Sequence, residues 1–394
     1  MPPSLASRVV ARVDELENEL VAVRRDLHAY PEVAWAEERT TAVLADRLAE
    51  AGAEVRLLPK SGLVAEIGAG DRTVALRADL DALAVDDLTD DPWSSRVDGI
   101  AHACGHDVHA AALLGAGLGL VEAAASDSFL GRVRLLFQPA EEVMPGGALE
   151  LIAGGVLDGV DHVFGLHCDP TVDVGHVGLR VGPMTGAADS VRVRISGRGG
   201  HTSRPHLTED LTYALAKLVT DLPGALSRRL DPRAGASLVW GTLRAGSAAN
   251  VIPAHGELAG TIRMLDPVAW EHAGDLVESL AEQILAPYGV HSEVTYIRGV
   301  PPVVNEAGST AMLADGIADV LGPDGAVVTV QSLGGEDFAW YLEEVPGAMA
   351  RLGVRTPDGP TYDLHQGDLR VDDRAVAVGA KLLAVTALRA LRAV

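Results

Sequence analysis

The sequence predicts an α/β fold in which a layered mixed-sheet domain is interrupted by a smaller α+β domain. Three observations carry that reading. Strands alternate with helices through residues 1–185, the order then changes to β-α-β-β-α-β with half-exposed strands, and the α/β character returns after Pro301. At 394 residues the chain also exceeds what one hydrophobic core usually supports. The expected division is a discontinuous main domain, 1–185 plus 300–394, around an insert spanning 186–299.

Ser4 to Tyr30 reads as a helix because Val9, Val13, Leu16, Leu20, Val23 and Leu27 recur at three- and four-residue spacing, and Pro31 ends it. A second helix runs from Glu37 to Ala51, with Gly52 as its stop. Strands follow at Glu54–Leu58, Leu63–Ile67 and Thr73–Ala78, the last apolar on both faces as a covered central strand should be. Ala110 to Ala125 reads as a buried helix, and Arg132–Phe137 and His162–Leu166 as strands. In the insert, Val191, Val193 and Ile195 alternate with Arg192, Arg194 and Ser196, a half-exposed strand. A helix at Thr208–Leu222, strands at Ser237–Arg244 and His255–Met264, a helix at Pro267–Ala286 and a strand at His291–Ile297 complete the ferredoxin-like order. The return segment reads as a helix, a strand at Ala326–Val330, a Gly-rich turn, a further strand and a final helix from Val371.

Composition narrows the function. The balance of 32 Lys+Arg against 55 Asp+Glu, a net charge of −23, disfavours nucleic acid as a partner. The Ala110–Val121 apolar stretch is too short to span a bilayer, and the N-terminus shows no secretory signal, so no membrane partner is expected. Two cysteines, Cys104 and Cys168, exclude a disulfide framework and suit a cytoplasmic location.

Histidine carries the chemical information, because neutral imidazole is a common ligand for transition metals. In His102-Ala103-Cys104-Gly105-His106-Asp107-Val108-His109, three histidines and a cysteine fall within eight residues, and a loop there could aim Cys104 and His106 at one point. A polar loop with a buried cysteine would read the same way. Downstream, the strand ending at Phe137 delivers Glu141 and Glu142, adjacent carboxylates that point in different directions on an extended segment. One can bind a metal while the other acts as general base, although paired glutamates are more often a solvated surface. His167 ends an apolar strand and His365 follows Leu364 near the end of the chain; each alone is more often structural than a ligand. Five compatible candidates at element ends favour a metal site. Asp79 and Asp81 follow a buried strand, where carboxylates can orient ligand imidazoles or simply form a turn. His201, after Gly199-Gly200, is a weaker signal.

Together these segments resemble the M20 metallopeptidase family, in its branch of hippurate hydrolases, auxin-conjugate hydrolases and N-acyl-amino-acid amidohydrolases. The resemblance runs through LHAYPEVAWAEERT (Leu27 to Thr40), RADLDAL (Arg77 to Leu83), HACGHDVHAA (His102 to Ala111), FQPAEE (Phe137 to Glu142) and GLH (Gly165 to His167). It continues in GRGGHTSRPH (Gly197 to His206), NVIP (Asn250 to Pro253), GTIR (Gly260 to Arg263), GGEDFA (Gly334 to Ala339) and Leu364-His365. It implies a zinc-peptidase-like catalytic domain with a ferredoxin-like lid through which subunits form a homodimer. It also implies two divalent metal ions, zinc first with manganese, cobalt or nickel as alternatives, held by Cys104, His106, Glu142, His167 and His365. In the same resemblance Glu141 is the general base, Asp81 the carboxylate behind the metal ligands, and His201 an oxyanion-stabilising histidine supplied across the dimer. Asn250, Arg263 and the backbone near Gly335 are substrate contacts.

The chain departs from its relatives at Ala84, Ala101 and Cys168-Asp169-Pro170, positions that bear on the substrate pocket rather than the metal set. The expected function is metal-dependent hydrolysis of small-molecule N-acyl-L-amino acids to a carboxylic acid and a free amino acid. The alternatives are a dedicated N-acetyl-amino acid deacetylase, for example of N-acetyl-diaminopimelate, a dipeptidase, or a non-catalytic binding protein of the same fold. Retention of Glu141 and all five ligand candidates weighs against the last.

Overall fold

The structure, a computed structural model, describes residues 4–126 and 129–393. In chain order its main elements are α1 (Leu5–Ala29), α2 (Glu38–Ala51), β1 (Glu54–Leu57), β2 (Leu63–Ala69), β3 (Thr73–Asp79), α3 (His106–Ala124), β4 (Gly131–Gln138), α4 (Ala148–Ala153), β5 (His162–Asp173) and β6 (Val177–Leu179). There follow β7 (Ala187–Ser196), α5 (Leu211–Arg229), β8 (Ser237–Ala245), β9 (His255–Met264), α6 (Pro267–Leu285) and β10 (His291–Val300). The chain closes with α7 (Ala307–Leu321), β11 (Ala326–Val328), α8 (Ala339–Glu344), β12 (Gly347–Arg355) and α9 (Arg374–Ala390).

The chain divides into two compact units, 1–182 with 304–330 and 340–394, and 183–303 with 331–339. The expected continuous return over 300–394 is therefore interrupted. Residues 331–339 associate with the second unit through a Thr185–Ser332 bridge and through Gln331, whose side chain donates to Pro183 O at 3.0 Å.

The first unit is built on an eight-stranded mixed sheet in the order β1-β2-β4-β3-β5-β12-β6-β11. Strand β3 lies between β4 and β5, parallel to both, and all seven of its residues are buried, as its two-sided apolar pattern predicts. Helix α3 packs against α1 and α9 and is apolar on every side. Its glycines are packing devices: a Cβ on Gly115 would come within 2.6 Å of a Leu20 methyl, and one on Gly117 within 2.6 Å of a Leu135 methyl. This helix has 19 residues rather than the shorter stretch expected, and is long and apolar enough to cross a bilayer. Because most of it is buried inside the protein, it reads as a core helix.

Three further differences have local causes. Helix α3 starts at His106, not Ala110, because the polar residues of its first turn are buried with partners and so break the apolar periodicity without exposing the turn. Strand β5 continues to Asp173 because β12 stays paired with it beyond Leu166, placing His167 within the strand opposite Arg351. Helix α5 runs through Pro223 to Arg229, since its buried face of Leu215, Leu218, Leu222 and Leu226 continues across the proline. The short α8 was not anticipated.

The second unit contains an antiparallel sheet in the order β8-β9-β7-β10, with α5 and α6 packed on it. In β7, Val191, Val193 and Ile195 are buried while Arg192 and Arg194 are exposed. That is the ferredoxin-like arrangement, with one face of the sheet covered by its helices.

Candidate metal centre

The site in the first unit begins where the loop after β3 meets α3. Gly105 adopts φ +86°, and a Cβ there would sit 2.8 Å from Cys168 Sγ, so this tight entry suits glycine. The turn leaves Cys104 at the loop end and His106 in the first helical turn. His106 Nδ1 lies 2.8 Å from Asp81 O, to which it donates. Its Nε2 is buried without a hydrogen-bond partner, 3.8 Å from Asp79 Oδ2 and 3.9 Å from Glu142 Oε1. From β5, His167 donates through Nδ1 to Cys168 O at 2.8 Å and presents Nε2 3.5 Å from Cys104 Sγ. His365 has φ +62°, is anchored by its own N–H to Ala103 O at 2.7 Å, and places Nε2 3.3 Å from Glu142 Oε1.

The five expected ligands gather in one place. The ligand atoms of Cys104, His106 and His167 lie within 4.8 Å of one another, as do those of Cys104, Glu142 and His365. Cys104 is common to both triads. Glu141, expected as the base, forms a third close group with His106 and Glu142. A thiol, three imidazoles and a carboxylate converging on a buried, unpartnered ring nitrogen fit a pair of borderline divalent metals.

The electrostatics agree. Burial, helped by Arg351, holds His167 well below the usual histidine range, keeping its lone pair available. Burial pushes the Cys104 thiol up to about 12, so a thiolate there calls for a cation beside it. Burial opposes a charge on His106, but Asp79, Cys104 and Asp81 together outweigh it and raise the ring well above its ordinary value. A bound cation answers that same negative field in place of the proton.

Asp79 and Asp81 line the surrounding shell. Asp81 meets His106 Nδ1 with its backbone carbonyl at 2.8 Å and its carboxylate at 3.4 Å; the carboxylate also accepts from Glu141 N at 3.0 Å and Glu142 N at 2.8 Å. Asp79 pairs with Arg77 at 2.6 Å and with His109 Nδ1 at 2.6 Å. His109 uses its other nitrogen to accept from Cys168 N at 2.7 Å, so neither ring nitrogen is left for a metal. Cys168 is packed and buried, with its thiol pushed up by burial. On the far side of the first turn of α3, Asp107 forms buried ion pairs with Arg24 at 2.7 Å and His28 at 2.8 Å. Sequence reasoning missed Arg24, His28, Asp107 and His109; two of them lie in the histidine-rich segment itself, and His28 in the Leu27 to Thr40 motif.

Four expected residues belong to the second unit. His201 pairs with Val251 in a two-stranded ladder, beside Asn250, whose carbonyl accepts from Thr202 N at 3.2 Å. His201 Nδ1 accepts from Ser203 N at 3.0 Å, which leaves Nε2 to carry the proton. Arg263 donates to Leu333 O at 3.3 Å, two residues before Gly335.

The family model of peptidase family M20/M25/M40 matches residues 75–389. The chain belongs to that family. It is a metallo-amidohydrolase of the M20 group, and several of its relatives carry matching names. It is 38% identical to the N-acetyl-L-cysteine deacetylase of Bacillus subtilis (strain 168), over 95% of this chain and 89% of that protein. It is 37% identical to the N-acyl-L-amino acid amidohydrolase of Geobacillus stearothermophilus, over 74% and 80% respectively. The solved structure of the Bacillus subtilis YXEP protein, described as a dinuclear metal-binding peptidase of the M20 family, superposes with a TM-score of 0.85. It is 31% identical, over 97% of this chain and 100% of that one. The M20 chain spans about half (47%) of a Rhodococcus jostii (strain RHA1) relative named for glutamate–cysteine ligase 2-3, at 49% identity. That name describes a protein twice as long.

Proposed function

We propose that this enzyme hydrolyses N-acyl-L-amino acids to a carboxylic acid and a free amino acid. The observation that carries the reading is the Cys104-centred cluster with Glu141 grouped beside it. Cys104, His106, Glu142, His167 and His365 would hold two divalent ions, with zinc the first choice for a mixed sulfur, nitrogen and oxygen set. When bound, the ions supply Lewis acidity that polarises the amide carbonyl and acidifies water.

The chain's own part is proton handling and orientation. Glu141, with its backbone fixed by Asp81, accepts a proton from the attacking water and passes it to the leaving nitrogen as the C–O bond forms and the C–N bond breaks. His201, with its proton on Nε2, is assigned to the developing oxyanion. Arg263 is assigned to the substrate carboxylate, with Asn250 and the backbone at Gly335 as further substrate contacts. The proposed assembly is a cytoplasmic homodimer formed through the second unit. Its edge strand β8 supports this by exposing Val239 and Leu243 beside an unpaired strand edge.

The test is hydrolysis of acetyl-, benzoyl- and indole-acyl-amino acids after chelation and separate refilling with zinc, manganese, cobalt and nickel. Metal-restored release of amino acid is expected; no turnover at stoichiometric metal would sink the proposal. A dedicated N-acetyl-amino acid deacetylase is the second reading, favoured by two Bacillus subtilis relatives named for N-acetylcysteine deacetylation. Turnover confined to the acetyl substrates would select it.

A further inference from the structure

The segment that delivers Glu141 is held from behind by a residue with no assigned role. Ala140, immediately before Glu141, adopts φ +57°, a left-handed conformation that a side chain disfavours. Its N–H donates to Glu37 Oε1 at 2.8 Å, and its carbonyl accepts from Gly147 N at 2.9 Å. The next two N–H groups, of Glu141 and Glu142, go to the two oxygens of Asp81. Three consecutive amides are therefore captured by two buried carboxylates from different parts of the chain.

Glu37 itself is completely buried just before α2, yet its side chain does not cap that helix. Its second oxygen accepts from Ser61 Oγ at 2.6 Å, and no ion pair neutralises it among the described residues. Thr41 ties the same corner together: its hydroxyl donates to Glu37 O at 2.5 Å and accepts from Gly62 N at 2.6 Å. Burying a carboxylate without a cation is expensive, and a helix start needs no such group. The side chain's reach is spent on the one amide that fixes the strained residue before the base.

We propose that Glu37 is a positioning residue for the catalytic base. By holding Ala140 in its left-handed conformation, it sets the direction in which Glu141 leaves the backbone and keeps it apart from Glu142. This rests on the reading of Glu141 as general base.

The test compares Glu37→Asp and Glu37→Gln with the metal-loaded wild type. Aspartate is one methylene too short to keep both bonds, so kcat should fall by roughly 10–100-fold, with KM within about threefold and metal content unchanged. Glutamine keeps an oxygen for Ala140 N–H, and the Ser61 hydroxyl can turn to accept from its amide, so kcat should stay within about threefold of wild type. Amide hydrogen exchange at Ala140 should speed up in Glu37→Asp and not in Glu37→Gln. Wild-type kcat in folded, metal-loaded Glu37→Asp overturns the proposal, and so does an equal loss in both variants. Glu141→Gln is measured in parallel. If it keeps wild-type turnover, the base assignment falls and this inference with it; if it is inactive while Glu37→Asp is fully active, this inference alone falls.

Discussion

Most of the proposed metal-side residues of the first unit are built in the opposite way to the substrate-side candidates of the second. Cys104, His106, Glu141 and His167 are buried, Glu142 is half-buried and His365 is exposed, and His106, Glu141 and His167 are each oriented by a hydrogen bond to or from the backbone. His201, Asn250 and Arg263 lie in the second unit, where His201 and Asn250 are exposed and Arg263 is half-buried. The difference follows from the tasks. Ligands and a base must be held in place before substrate arrives, because misplacement weakens the transition state directly. Groups that grip a substrate must meet water first and exchange it for the ligand. The expectation is that changes in the first group act on metal binding, turnover or folding, and changes in the second on substrate affinity.

The sharpest way to break this contrast is Glu141→Gln. Loss of the proposed general base should lower kcat by about 10²–10⁴-fold while metal content, read by elemental analysis, stays at the wild-type level. Wild-type turnover would move the base elsewhere. Next in size is Arg24→Met, which leaves the fully buried Asp107 without its guanidinium partner. Removing one member of a buried pair should destabilise the fold by about 3–5 kcal/mol in urea unfolding. A change below 1 kcal/mol would mean that His28 alone satisfies Asp107.

Arg263→Ala tests the other side of the comparison. Loss of a charge-assisted contact of about 1.5–3 kcal/mol should raise KM for N-acyl-amino acids tenfold or more, with unchanged metal content and stability. A fall in kcat at constant KM would place Arg263 with the reacting atoms instead.

The smallest effect is expected far from both groups. Glu306 caps α7 by accepting from Gly308 N at 2.7 Å and Ser309 N at 2.5 Å, and these bonds lower its pKa below the usual carboxylate value of 4.5. Glu306→Ala should cost about 1 kcal/mol at pH 7. Because the folded pKa is depressed, the cap's contribution is present above the unfolded value and is lost as pH falls through the folded one. The gap between variant and wild type should therefore narrow in acid, and a constant gap from pH 7 to pH 3 would remove the titration argument.

Much of this protein was decided by local sequence alone. The apolar spacing of α1, the two-sided apolar run of β3 and the alternation of β7 each dictate an element and its buried face, because periodicity is a direct record of which side meets water. The candidate donors could also be picked out along the chain, because Cys104, His106, Glu141, Glu142, His167 and His365 combine compatible sulfur, imidazole and carboxylate types in one proposed domain. What tertiary structure decided was the use of each polar group. His109 sits in the same eight-residue segment as Cys104 and His106, but both its ring nitrogens are taken, by Asp79 and by the backbone at Cys168. Asp81 holds the Glu141–Glu142 backbone as well as the His106 ring, and Glu37, about a hundred residues away in sequence, holds the residue before them. A hydrogen bond is decided within a few tenths of an ångström, and the sequence positions it joins carry no periodic mark. Hydrophobic burial is non-directional and leaves its pattern in the chain; directional pairing of buried polar groups exists only once the elements have packed.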